Sequence, residues 1–289
     1  MTTVRTNEAE MAENEIQLPD TSKLVISGSP HLHAKGDVRR IMLIVILALL
    51  PACAVGVYFF GLRALLVLAV CGASSVAFEH LATRMMGRES AIGDNSALLT
   101  GLLLGMNLSA GTPIWVCIVG SLLAIGLGKM IYGGLGYNPF NPALVGRVGL
   151  LIACPVALTT WVKPGGPGQW AANNVDSMTG PTPLGVLGEA KSWEGVQNLV
   201  AQGQFDLSYT DWFLGRMGGC IGETCAVALL VGGIVLIALR IIRWHVPVTF
   251  IATVFLISGA AHLISPTQFA PPMYHMATGG LFLGAFFMA

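Results

Sequence analysis

The stretch IMLIVILALLPACAVGVYFFG, residues 41–61, carries no charged side chain. About 20 such residues in a helix match the hydrocarbon thickness of a bilayer. The forty residues before it are polar, mixed in charge and without a cleavable leader pattern. The run is therefore expected to remain as a membrane anchor. The whole chain of 289 residues agrees, with 54% hydrophobic and 10% charged residues and a mean hydropathy of +0.71. Soluble domains carry about a quarter charged residues, which excludes an ordinary soluble globule.

Working outward from that run, further apolar segments fall at 64–82, 96–110, 113–135, 141–158, 217–239, 246–264 and 274–289. The expected fold is all-α and polytopic, with about eight transmembrane helices. The organisation reads as a polar segment over 1–40, a first membrane half of about five spans over 41–158, a loop over 159–216 and a second half over 217–289. The 36 glycines suit close helix packing through small residues. A formal net charge of +0 gives no support for nucleic acid as a partner. Cys53, Cys71, Cys117, Cys154, Cys220 and Cys225 show neither CxxC nor zinc spacing, so buried free thiols are expected and no metal.

Lysine and arginine set the orientation. Lys35, Arg39 and Arg40 precede the first span, and alternation places Arg84, Arg88, Lys129, Arg240 and Arg243 on that same, cytoplasmic side. The 159–216 loop is then extracytoplasmic. It holds Trp161, Trp170, Trp193 and Trp212. An interfacial aromatic belt suits Trp161 and Trp212 at its edges, while Trp170 is placed to stack on a flat ligand.

LLTGLLLGMNLSAGT (98–112) and MATGGLFLGAFFMA (276–289) share a Thr-Gly followed by a further Gly, and each follows polar or helix-breaking residues. This pattern predicts a duplication whose halves are inverted, with short broken segments meeting at a central site.

The loop also carries NNVDSMTGPTPLG, residues 173–185. Flanked by Pro181 and Pro183, with Gly180 as a joint, Thr182 presents a hydroxyl from backbone that cannot be helical up to that point. An enzyme could modify it, with Asp176 near enough to hold a metal or position a transferring phosphate; an ordinary surface turn is the alternative.

DSMTGPTPLG (176–185) resembles the flavin-attachment motif of the family that contains the D-type membrane subunits of Rnf complexes and the related B-type subunits of Na+-translocating NADH:quinone reductases. SGSPHLHAKGDVRRIMLIVILALLPA (27–52), GDNSALLTGLLLGMNLSAGTPIW (93–115), NPFNPALVGRVGLLIACP (138–155), GCIGETCAVALLVGGI (219–234) and GGLFLGAFFMA (279–289) extend the resemblance over nearly the whole chain. It implies a urea-transporter-like membrane fold in a bacterial or archaeal cytoplasmic membrane. It also implies FMN joined through its phosphate to Thr182, installed outside the cytoplasm by a flavin transferase. Thr179 stands where the family usually has Ser, and Pro181 where it has Ala. Family members continue past GAFFMA to about ten spans, so the second half is expected to be truncated relative to them.

The resemblance further implies a flavoprotein subunit of a translocase. Electrons would pass between ferredoxin and NAD+, coupled to Na+ or H+, with Rnf subunits A, B, C, E and G as partners. No residue here is expected to be catalytic by itself, since the NAD and ferredoxin chemistry would lie on partners. Cofactor contacts are expected from Thr182, Asp176, Thr179, Gly180 and Trp170. Asn107 and Asn141 are candidates for a second, non-covalent riboflavin. Charge at membrane depth is expensive and usually functional, which marks Glu223, Arg147, Asp94 and Glu79 for an ion pathway. Glu223 is expected about two turns into its span, and Arg147 is expected either to pair with an acidic residue such as Glu223 or to hold a phosphate. Glu79 has snorkelling as its bland alternative, and Asp94 or Asn95 has helix capping. A urea-transporter-like channel without a redox cofactor is the competing reading, and the 159–216 loop, which a pore does not need, tells against it.

Overall fold

The computed structural model describes residues 38–87, 92–165, 180, 182–224, 226–277 and 280–288. Trp170, Asp176, Thr179, Pro181 and Cys225 lie outside the described residues. Apart from an isolated bridge at Val162, all regular structure among the described residues is helical.

Among the described residues three helices are long and apolar enough to cross a membrane: α1 (Val38–Phe60), α2 (Leu62–Met85) and, later in the chain, His245–Ile264. α1 keeps Pro51 in its interior, which membrane helices tolerate when neighbours satisfy the freed backbone groups. Gly61, at φ 71°, makes the joint between α1 and α2; its missing Cβ permits that left-handed backbone.

The remaining apolar segments are shorter. α3 (Ser96–Met106) has 11 residues, about half of what a bilayer crossing needs. It lies against α2 through Gly101 and Gly105, and a Cβ on Gly101 would come within 2.4 Å of the Cys71 carbonyl oxygen. α4 (Ile114–Leu122) runs on as a π-helix over Leu123–Met130. α5 (Pro142–Ala153) starts as its sequence suggests, with Asn141 Oδ1 accepting the Ala143 N–H at 3.0 Å and Pro142 in the first turn. Cys154 separates it from the short α6 (Pro155–Thr159).

The described part of the 159–216 loop holds three short helices, α7 (Pro183–Ala190), α8 (Trp193–Ala201) and α9 (Tyr209–Leu214). The second half contributes α10 (Ala226–Ala238), α11 (His245–Ile264), α12 (Pro272–Ala277) and α13 (Gly280–Leu283), which continues as a π-helix over Gly284–Met288.

Two expectations are corrected. The span at 217–239 begins only at Ala226, because residues 220–223 form a tight turn wedged into the helix bundle. Gly222 sits there against Met106 and Leu283, and the Ile221 N–H donates to the Leu108 carbonyl at 3.0 Å. That bond satisfies a carbonyl left over where α3 stops, as buried irregular backbone at membrane depth requires. Trp212 is not a belt residue. It is 4% exposed, in a core with Trp193, Val196, Met217 and Tyr274, and its ring meets Tyr274 edge-on at 5.3 Å between centroids.

The cap formed by α7–α9 is tied to the 265–277 connection. Trp193 and Glu194 donate their N–H groups to the Gln268 and Thr267 carbonyls at 3.1 and 2.9 Å. The Tyr274 hydroxyl donates to the Pro183 carbonyl. The short segments of the expected duplication also meet: Asn107, at the end of α3, reaches Met288 Sδ with its Nδ2 at 3.4 Å.

Candidate functional site: a threonine at a helix start and a buried ion pair

Thr182 is the N-cap of α7. Its Oγ1 accepts the Gly185 N–H at 3.0 Å, and Pro183 occupies the first helical position. The hydroxyl is therefore held at the positive end of the helix, where the peptide dipoles favour an anion. It opens on a pocket of about 550 Å³ lined by Thr159, Thr160, Trp161, Gly180, Gly185 and Glu189. That volume lies in the range of cofactor sites, about 300–1,000 Å³. The Gly180 N–H donates to the Trp161 carbonyl at 3.1 Å, fixing the backbone before Thr182 beside an indole. The residues present fit a phosphate-linked flavin: a hydroxyl at a helix start, a pocket of sufficient size and an aromatic wall. Trp161, assigned by its sequence position to the membrane interface, supplies that wall. Nearby, burial pushes the Tyr209 phenol above its usual range.

The membrane body holds a second polar constellation. Glu79 and Lys129 are buried and paired, Nζ to Oε1 at 2.5 Å, with side chains 1% and 2% exposed. Lys129 Nζ also donates to Ser96 Oγ at 2.6 Å. Ser96 in turn donates its hydroxyl to Asp94 Oδ1, which accepts the Ser96 N–H at 2.8 Å as well. Snorkelling of Glu79 is thereby overturned: its partner comes from the π-helix, fifty positions on. Asp94, rather than Asn95, meets the start of α3. Asp94 and Glu79 are joined by one chain of polar groups through Lys129, a residue whose place in the sequence speaks only for orientation.

Glu223 lies in the 220–223 turn rather than two turns into a helix, with Oε2 accepting the Cys220 N–H at 3.3 Å. Arg147 donates to Cys220 Sγ at 3.2 Å. Arg147 and Glu223 thus flank one buried cysteine, and no direct ion pair joins them among the described residues. Asn107 and Asn141 converge on Met288, Asn141 Nδ2 reaching the Met288 carbonyl at 3.4 Å; both amides are engaged structurally. Among the described residues the cysteines are free, Cys154 alone being only partly buried, and no group of three or more His, Cys, Asp or Glu side chains is gathered as ligands for a metal ion.

Residues 25–289 match the model of the NQR2, RnfD, RnfE family. The chain belongs to that family. Among its relatives is the D subunit of the proton-translocating ferredoxin:NAD(+) oxidoreductase complex of Clostridium ljungdahlii, 39% identical over 96% of this chain and 81% of the relative. The D subunit of the Na(+)-translocating ferredoxin:NAD(+) oxidoreductase complex of Acetobacterium woodii is 40% identical, over 92% of this chain and 76% of the relative. The D subunit of the ion-translocating oxidoreductase complex of Stutzerimonas stutzeri is also 40% identical, over 88% and 76%. This member of the NQR2, RnfD, RnfE family is accordingly a multi-pass membrane protein. It is a subunit of a multi-subunit, redox-driven ion translocase, which sets the channel reading aside.

Proposed function

We propose that this subunit carries FMN as a phosphoester on Thr182, on the extracytoplasmic side. There it relays electrons between ferredoxin and NAD+ within an Rnf-type complex that moves Na+ or H+. The observation that carries the reading is the placement of Thr182 Oγ1 at the start of α7, in a pocket walled by Trp161. A phosphate there would meet the positive end of the helix dipole. Bound FMN supplies one- and two-electron redox chemistry that side chains lack. The chain's own part is positional. Pro183 presets the helix start, Gly180 leaves room on the Lys163 side, and Trp161 shields one face of the pocket.

The cap is a rigid mount for this group, since Pro183 is bonded to Tyr274 and Trp212 packs beneath. Tyr274 belongs to α12, which leads towards α13 and its contacts with Glu223 and Asn107. The flavin mount and the membrane body thus share one continuous run of chain. Ion movement is assigned to the polar groups of that body, Glu79 with Asp94 and, separately, Glu223 with Arg147. Partner subunits of types A, B, C, E and G, and a flavin transferase for maturation, complete the reading.

Separation of the complex on a denaturing gel under ultraviolet light tests it. This chain should give a fluorescent band that disappears in Thr182→Ala and persists in Thr179→Ala. A dark band from cells that contain the transferase overturns the proposal.

A further inference from the structure

We infer that the oxygen cage around Lys129 Nζ is a site for a small monovalent cation such as Na+ or Li+, and that the lysine ammonium is a tethered occupant competing with it. The inference deepens the ion-coupling part of the reading above and is independent of the flavin.

The cage is made of oxygens that suit a hard cation. Glu79 Oε1 and Ser96 Oγ lie at 2.5 and 2.6 Å from the ammonium, and Asp94 Oδ1 backs Ser96. One carboxylate oxygen of the cage and one amide oxygen of a residue lining the adjoining cavity are left over. Glu79 Oε2 and Asn138 Oδ1 are buried and have no hydrogen-bond partner among the described residues. A buried pair kept only for stability would have its second carboxylate oxygen satisfied, because an unpaired buried acceptor costs about 1–3 kcal/mol. The chain carries that cost at a position where a metal cation coordinated by both carboxylate oxygens would remove it.

Access and release are also provided. Lys129, Ser96, Asn138 and Asn141 share the wall of a cavity of about 470 Å³, which adjoins the cage on the side of Lys129 and Ser96. Lys129 sits on the π-helical stretch Leu123–Met130. A π turn that relaxes to α-helix shifts the register of the residues beyond it and carries the lysine out of the cage. Gly128 packs against Pro142, where a Cβ would come within 2.8 Å of the proline Cα, so the π-helix is braced beside the very residue that moves. When the ammonium leaves, Glu79 requires a replacement cation; when it returns, the cation is expelled. The charge of the site stays constant throughout, as a low-dielectric interior demands.

The test heats the assembled complex in NaCl, LiCl or choline chloride at equal ionic strength and follows how much of this chain stays soluble. Lys129→Met removes the tethered cation, and Lys129→Ser does so while adding room and a ligand oxygen. Either variant should melt about 3 °C or more higher in Na+ or Li+ than in choline. Wild type and Lys129→Arg should show no such difference, and Glu79→Gln/Lys129→Met should lose it. The proposal is overturned if both single variants melt alike in all three salts. It is equally overturned if neither folds in any salt while Glu79→Gln/Lys129→Met does, since the pair is then structural only.

Discussion

Glu79–Lys129 and Asp211–Arg216 are the same kind of ion pair in opposite surroundings. The first is closed at 2.5 Å with both side chains almost wholly buried; the second spans 3.2 Å with its arginine 68% and its aspartate 36% exposed. In water-facing surroundings two charges barely notice one another beyond their hydrogen bonds. In the membrane body neither charge can be left alone, because removing one strands the other in a medium that cannot solvate it. The contrast extends to the regions around them. The cap holds Thr182 by apolar packing and helix capping, whereas the body holds Glu79 and Lys129 by charge compensation.

The sharpest way to break this contrast is to neutralise one member of the buried pair. Glu79→Gln should cost about 4 kcal/mol by stranding the Lys129 ammonium, seen as loss of most folded protein in detergent extracts. Glu79→Gln/Lys129→Met should recover most of that loss. In the cap, Trp212→Ala removes the ring that joins α9 to Tyr274 and should cost about 3 kcal/mol. The readout is faster proteolysis within 183–214, with the membrane helices intact. Thr182→Ala deletes a helix cap and should lower stability by about 1 kcal/mol, measurable as earlier loss of cap protection in hydrogen exchange. Thr182→Ser should retain both the cap and a hydroxyl for modification. The smallest effect belongs to Asp211→Asn, below about 0.5 kcal/mol and reduced further by salt. A large loss there would erase the contrast.

Much of the fold was legible because hydropathy is local: α1, α2 and α11 appear close to where apolar runs lie in the chain. The extended backbone at Thr182 was legible because its prolines and glycine speak for the conformation at that position alone. What escaped depends on residues far apart in sequence. Lys129 reads as an interfacial cation until α2 and the π-helix bring it to Glu79, and nothing near Lys129 announces a π turn. Trp212 reads as an interface anchor because Tyr274, its ring partner, comes from the other side of two further helices. The late start of α10 was hidden because GGCIGET looks like the first turns of an apolar helix. The bond from Ile221 to Leu108 that holds it as a turn is set by tertiary packing. The Thr-Gly with a further Gly, by contrast, marked both short segments, and in the first of them Gly101 lies directly against the Cys71 backbone.

The most direct measurement is mass spectrometry of the chymotryptic fragment containing Thr182, taken from an assembled complex that transfers electrons. The fragment should bear the mass of FMN as a phosphoester, with fragmentation locating it on the Thr182 side chain. A fragment without modification from an active complex, or a flavin located on any other residue, would contradict the account.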